Sequence, residues 1–109
     1  MSFELRSLDV FERQAKRLAK KFPSLGKELH ALGEEVREDP HQGTSLGRNC
    51  YKIRLAIASK GKGRSGGARV ITHLVVANEV VYFLAIYDKS ERASLTNKEL
   101  NALLALVPR

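Results

Sequence analysis

The chain has 109 residues, 43% of them hydrophobic and 28% charged, an ordinary globular composition that excludes a disordered chain and predicts one domain spanning residues 1–109. No apolar run approaches the ~20 residues of a membrane span, and the opening Met1–Arg6 lacks the basic-then-apolar layout of an export signal, so cytoplasmic residence without membrane contact is expected. The lone Cys50 permits no internal disulfide and has no nearby cysteine or histidine to complete a zinc site, which makes it a small core residue in a protein expected to need neither metal nor cofactor.

Nineteen Lys and Arg against 12 Asp and Glu give a formal charge of +7, a surface that favours polyanionic partners. The excess is local. Pro40–Asn78 holds no acid but seven bases (Arg48, Lys52, Arg54, Lys60, Lys62, Arg64 and Arg69), whereas the remaining residues balance 12 bases against 12 acids.

In chain order, Phe3–Leu8 alternates apolar and polar side chains as a short strand would, until Asp9 interrupts it. Asp9 reads as an N-cap with Glu12 three residues on, and Phe11, Ala15, Leu18 and Phe22 form one apolar helical stripe that Pro23 ends. Ser24 is placed to cap a second helix carrying Leu25, Leu29, Leu32 and Val36, stopped by Asp39-Pro40. Two helices joined so tightly predict an antiparallel hairpin. Pro40–Gly47 is rich in turn formers and reads as a loop.

From Tyr51 the period changes to two: Tyr51, Ile53, Leu55 and Ile57 point one way, Lys52, Arg54, Ala56 and Ala58 the other. Ser59–Gly67 holds half of the eight glycines and three bases, so a mobile cationic loop is expected. A strand over about Ala68–Ala77, a turn at Asn78 and a strand over Glu79–Tyr87 follow, the last apolar on both faces like a central strand. Thr96 and Glu99 form a capping box, with Leu95 and Leu100 as its hydrophobic staple, opening a short C-terminal helix through Leu103, Leu104 and Val107. The order β-α-α-β-β-β-α predicts a small α+β domain, a mostly antiparallel sheet with helices on one face and the other face free for a ligand.

The helical hairpin, Asp39-Pro40 with the Gly43–Gly47 loop, Tyr51-Lys52-Ile53-Arg54-Leu55, the basic glycine loop running into Ala68-Arg69-Val70-Ile71, and Leu84–Lys89 together resemble the RelE/ParE superfamily of bacterial toxin-antitoxin toxins, most of all its HigB-type branch. The resemblance covers nearly the whole chain. It implies a metal-independent endoribonuclease that cleaves messenger RNA in the ribosomal decoding site. It also implies two partners, the ribosome with its message and a cognate antitoxin, commonly a helix-turn-helix protein in the HigB-type branch. By motif, Lys52 and Arg54 match the paired bases of the second strand, Arg69 the arginine opening the third and Lys89 the base after the fourth. A catalytic tyrosine found near the final helix of some members has no counterpart, because that region reads Ser94-Leu95-Thr96; Tyr87 is the substitute from a different place.

Cleavage by the RNA's own 2′-hydroxyl requires a base for that oxygen, stabilisation of a five-coordinate phosphorus, and a proton for the departing 5′ oxygen. Lys52 is the candidate base, since clustered cations lower each other's proton affinity. Arg54 and Arg69 would hold the scissile phosphate as planar forks, and Lys60, Lys62 and Arg64 would bind flanking RNA or ribosomal RNA. Tyr87 or His73 would give a proton or stack on a base. Plainer readings exist for each: a solvated sheet face for Lys52 and Arg54, a solubilising hairpin for the loop bases, a structural histidine at His73 and a half-buried strand end at Tyr87. Arg69 and the acid-free segment favour the nuclease. Gly61–Gly66 matches the dinucleotide-binding glycine pattern only formally, because a strand follows it, and it lacks the Lys-Ser/Thr of a P-loop. Two rivals remain: a ParE-like inhibitor of DNA gyrase, whose members generally lack this basic set, and a non-catalytic RNA- or ribosome-binding module.

Overall fold

The computed structural model describes residues 3–61 and 63–108, with the side chains of Arg64 and Ser65 outside the description. Its elements are β1 (Glu4–Ser7), α1 (Asp9–Lys21), α2 (Leu25–Glu38), β2 (Thr44–Gly47), β3 (Cys50–Leu55), a single helical turn α3 (Gly63–Gly66), β4 (Ala68–Val75), β5 (Val80–Asp88) and α4 (Asn97–Ala105). The five strands form one sheet in the order β1-β5-β4-β3-β2. Only β1 runs parallel to its neighbour; β2 with β3, β3 with β4 and β4 with β5 pair antiparallel.

The apolar stripes of the hairpin account for one side of the sheet. Phe11 and Leu18 of α1, Phe22, and Leu25, Leu32 and Val36 of α2 pack with Ile53 and Leu55 of β3, Val70 and Leu74 of β4, and Val81, Phe83 and Ile86 of β5. Truncating a residue such as the fully buried Leu18 would cost about 2–5 kcal/mol by removing apolar contact and leaving a cavity. The second face has a core of its own: Leu100, Leu103 and Val107 close over Ile71, Val80, Leu84, Ala85 and Tyr87, with Cys50 beside them. The α+β class and the mostly antiparallel sheet are as expected, but α4 lies opposite the hairpin, so the second face is not wholly open. Its staple residues were legible because their spacing demands an apolar partner; which face supplies that partner is not encoded locally.

A bulge tunes that face. Ile71 pairs with Ala85 but Thr72 with Phe83, so Leu84 is the extra residue in β5. Leu84 and Ala85 consequently both belong to the α4 side, while Phe83 and Ile86 stay on the hairpin side.

Three local expectations are corrected. The Pro40–Gly47 loop contains a strand: β2 pairs with β3 through a two-residue turn in which Arg48 and Asn49 take φ of 54° and 59°, the positive-φ geometry that matches strand twist. Asp9 is inside α1 rather than capping it; Leu8 is the cap residue, and Glu12 accepts instead from the Ser7 hydroxyl. Ser24 does precede α2, but its hydroxyl serves Glu28 at 3.1 Å and Ser59 at 2.8 Å rather than a helix N–H. The Thr96–Glu99 capping box forms in both directions, at 3.1 and 2.9 Å.

Candidate functional site

Register brings the basic strand residues into one row. Arg54 of β3 pairs with Arg69 of β4, and Arg69 pairs with Tyr87 of β5. Lys52 lies one step along, beside Ile71 and, beyond it, Ala85. Since Ile53 and Leu55 face the hairpin while Cys50, Ile71 and Tyr87 belong to the α4 side, strand alternation puts Lys52, Arg54 and Arg69 on the α4 side as well. Lys52 and Tyr87 meet at a small cavity of about 90 Å³ walled by Leu46, Ile71, Leu100 and the Ser94–Asn97 approach to α4. Along the other flank of β3 is a cleft of about 350 Å³, lined by Glu28 and Glu35 of α2, by Gln42–Thr44 and by Lys52–Ala56.

Exposure separates these side chains. Arg54 is exposed and Lys52 and Lys89 half-buried, whereas Arg69 is only 4% exposed, with its guanidinium donating to the Ala68 carbonyl at 3.1 Å. Arg69 is therefore a charge set behind the surface rather than an open phosphate fork. Tyr87 is 5% exposed and its hydroxyl has no hydrogen-bond partner among the described residues. Burial pushes this hydroxyl above its ordinary value, against the opposing fields of Arg69 and Arg92. The group stays protonated, which suits a donor and not a base.

Arg92 is the residue the sequence reading missed. Its guanidinium stands 5.5 Å from the Tyr87 ring centroid, donates to the Ser94 carbonyl at 3.0 Å and is paired with Glu99 at 2.5 Å. The Arg92 hydrogen bond, then the Thr96 backbone N–H, holds the Glu99 carboxyl down at about 2. The capping box announced Glu99; nothing in the spacing announced that the same carboxylate would hold an arginine over Tyr87.

Two assignments from the sequence are corrected, and two fall where the structure says nothing. His73 is buried against Cys50, Nδ1 to Sγ at 3.5 Å, so it packs in the interior instead of facing RNA. Lys60 is tied to the buried Asp88, leaving its side chain 8% exposed, so it is not an exposed contact for flanking RNA. Lys62 and the Arg64 side chain lie outside the described residues. Cys50 is fully buried, as a small core residue should be. Among the described residues, no His, Cys, Asp and Glu cluster could hold a metal ion and no helix is long and apolar enough to cross a membrane.

Residues 9–108 match the family model described as the RelE toxin of the RelE/RelB toxin-antitoxin system. The chain belongs to the RelE toxin family. Solved structures agree on the fold. An arginine-to-alanine double mutant of the E. coli toxin RelE in the free state is 18% identical, with a TM-score of 0.67 over 99% of this chain and 100% of that one. The isolated E. coli RelE toxin is 19% identical, with a TM-score of 0.52 over 97% of this chain and 100% of that one. The intact E. coli RelBE toxin-antitoxin complex gives 20% and 0.51 over 80% of this chain and 96% of its match. In this RelE-type toxin the surface shared by β3, β4, β5 and α4 gathers Lys52, Arg54, Arg69, Tyr87 and Arg92, which makes it the candidate nucleic-acid site.

Proposed function

We propose that this RelE-type toxin is a metal-independent endoribonuclease that cleaves messenger RNA in the ribosomal A site and is restrained by a cognate antitoxin. The observation that carries the reading is the cross-strand row Arg54–Arg69–Tyr87 with Lys52 at the neighbouring cavity. Arg54, exposed, reaches the scissile phosphate; Arg69 supports it from beneath with fixed charge, and both stabilise the dianionic phosphorane. Lys52 takes the proton from the 2′-hydroxyl, that oxygen attacks phosphorus, and the bond to the 5′ oxygen breaks as a proton arrives from Tyr87. The products are a 2′,3′-cyclic phosphate and a 5′-hydroxyl. Lys89, just after β5, is assigned to the neighbouring backbone phosphate, and Lys62 and Arg64 to flanking RNA or ribosomal RNA.

An antitoxin partner is supported by the family and by the RelBE assembly of the E. coli relative; a helix-turn-helix partner of the HigB-type branch is the proposed kind. The deciding experiment is primer extension on a message being translated in a purified system, with and without the protein, beside the same RNA lacking ribosomes. Cuts only on ribosomes, lost in K52A/R54A/R69A, are expected. Intact RNA in both arms with folded protein would overturn the proposal: DNA breaks would then point to gyrase, and salt-sensitive binding without cleavage to a passive RNA-binding module.

A further inference from the structure

The glycine-rich segment between β3 and β4 is anchored by a pair of charges that the cleavage chemistry does not use. Lys60 Nζ and Asp88 Oδ1 form an ion pair in which the side chains are 8% and 0% exposed. The same oxygen accepts the Ser90 N–H at 2.9 Å and the Ser90 hydroxyl at 2.8 Å. Lys60 also donates to Ser90 Oγ at 3.3 Å and stands 5.6 Å from the Phe22 ring centroid. Removing two charges from water is costly and is recovered only when the geometry is held closely, so this buried pair is poorly explained as a source of stability and better explained as a device that fixes one arrangement.

What it fixes is legible from its neighbours. The segment's foot is tied to the hairpin by Ala58 N–H to Glu28 at 2.6 Å and Ser59 N–H to Ser24 Oγ at 3.0 Å, and its exit by Lys89 N–H to the Gly67 carbonyl at 3.0 Å. Asp88 is flanked in sequence by Tyr87 and Lys89 and begins the turn leading to Arg92, whose backbone N–H bonds the Asp88 carbonyl at 3.2 Å.

We propose that Lys60 and Asp88 are a positioning pair that ties the start of the glycine-rich segment to the end of β5 and fixes the Asp88–Arg92 turn, so that Lys89 and Arg92 meet the RNA in one preformed arrangement. Its consequence for cleavage rests on the proposed function. Lys60 acts through Asp88 and the turn to Arg92 and not by touching substrate. Either single variant strands a buried charge and is a poor test by itself; K60M/D88N removes both charges, and K60R keeps the pair.

The experiment joins steady-state cleavage on translating ribosomes to amide hydrogen exchange of the free protein. For K60M/D88N, exchange at Ser59–Gly61 and Lys89–Arg92 is expected to quicken at least about tenfold while the central strands keep their protection. KM should rise about tenfold with kcat within about threefold, because a loosened surface weakens binding more than chemistry. K60R should keep both near the wild-type values. Wild-type exchange in that segment would overturn the proposal, and so would a fall in kcat at unchanged KM, which would make Lys60 part of the chemistry. If the wild-type protein cleaves nothing, the proposed function fails, and the exchange experiment alone decides whether the pair holds the segment.

Discussion

Replacing Tyr87 with Phe should move stability and activity in opposite directions. The hydroxyl is buried without a hydrogen-bond partner among the described residues, and such an orphan costs about 1–3 kcal/mol of desolvation. Phe keeps the ring, its packing beside Ile71 and Leu100, and the Arg92 guanidinium above it, so little is lost against that gain. Taking the lower bound, Y87F should be more stable by about 1 kcal/mol, roughly 4 °C in Tm for a domain of this size. Cleavage should nevertheless fall about 100-fold, the usual contribution of one positioned proton donor, which is about 2.7 kcal/mol of barrier at 1.36 kcal/mol per decade. Thermal unfolding and single-turnover cleavage on ribosome-bound message measure the two quantities. A variant less stable than wild type would refute the orphan hydroxyl, and one that cleaves at the wild-type rate would remove Tyr87 from the chemistry.

Arg54→Ala, at an exposed strand position, should leave stability within about 0.5 kcal/mol yet lower single-turnover cleavage about 100-fold or more by removing a transition-state charge. Gly67→Ala should destabilise by about 3 kcal/mol, because a Cβ there would collide with the Leu55 carbonyl oxygen, a backbone atom that cannot yield; urea unfolding reads the loss. By contrast Gly26→Ala, where a Cβ in α2 meets nothing within 4 Å, should stabilise by about 0.5 kcal/mol in the same assay. The Glu99 carboxyl sits at about 2 against an ordinary 4.5. A depressed folded value contributes stability above the unfolded one, so the start of α4 should keep its support above about pH 4.5 and lose it as pH falls toward 2. Amide exchange of α4 against pH should show that loss, and E99Q should flatten the profile.

Local order was legible because it is written in short-range spacing. The four-three-four stripes through Phe11–Phe22 and Leu25–Val36 gave the hairpin, and alternation through Tyr51–Leu55 gave β3 with Lys52 and Arg54 side by side on one face. The capping box gave α4 its first turn. β2 escaped notice since a four-residue strand of Thr, Ser, Leu and Gly has no apolar period; it exists by pairing with β3.

By itself, then, the sequence determined the three long helices, the main strands, the concentration of positive charge in one acid-free third, and the family these patterns resemble, while the helical turn α3 lies where a loop was expected. Tertiary structure alone decided which of those charges meets solvent. Docking α4 across the second face, with the Leu84 bulge beneath it, buried Tyr87, and the completed fold left Arg69 and His73 inside while Arg54 stayed exposed. Folding the glycine segment back to β5 turned Lys60 from a surface cation into the partner of Asp88, 28 residues away. Burial and long-range ion pairing are properties of surfaces brought together from distant parts of the chain, and no local period carries them.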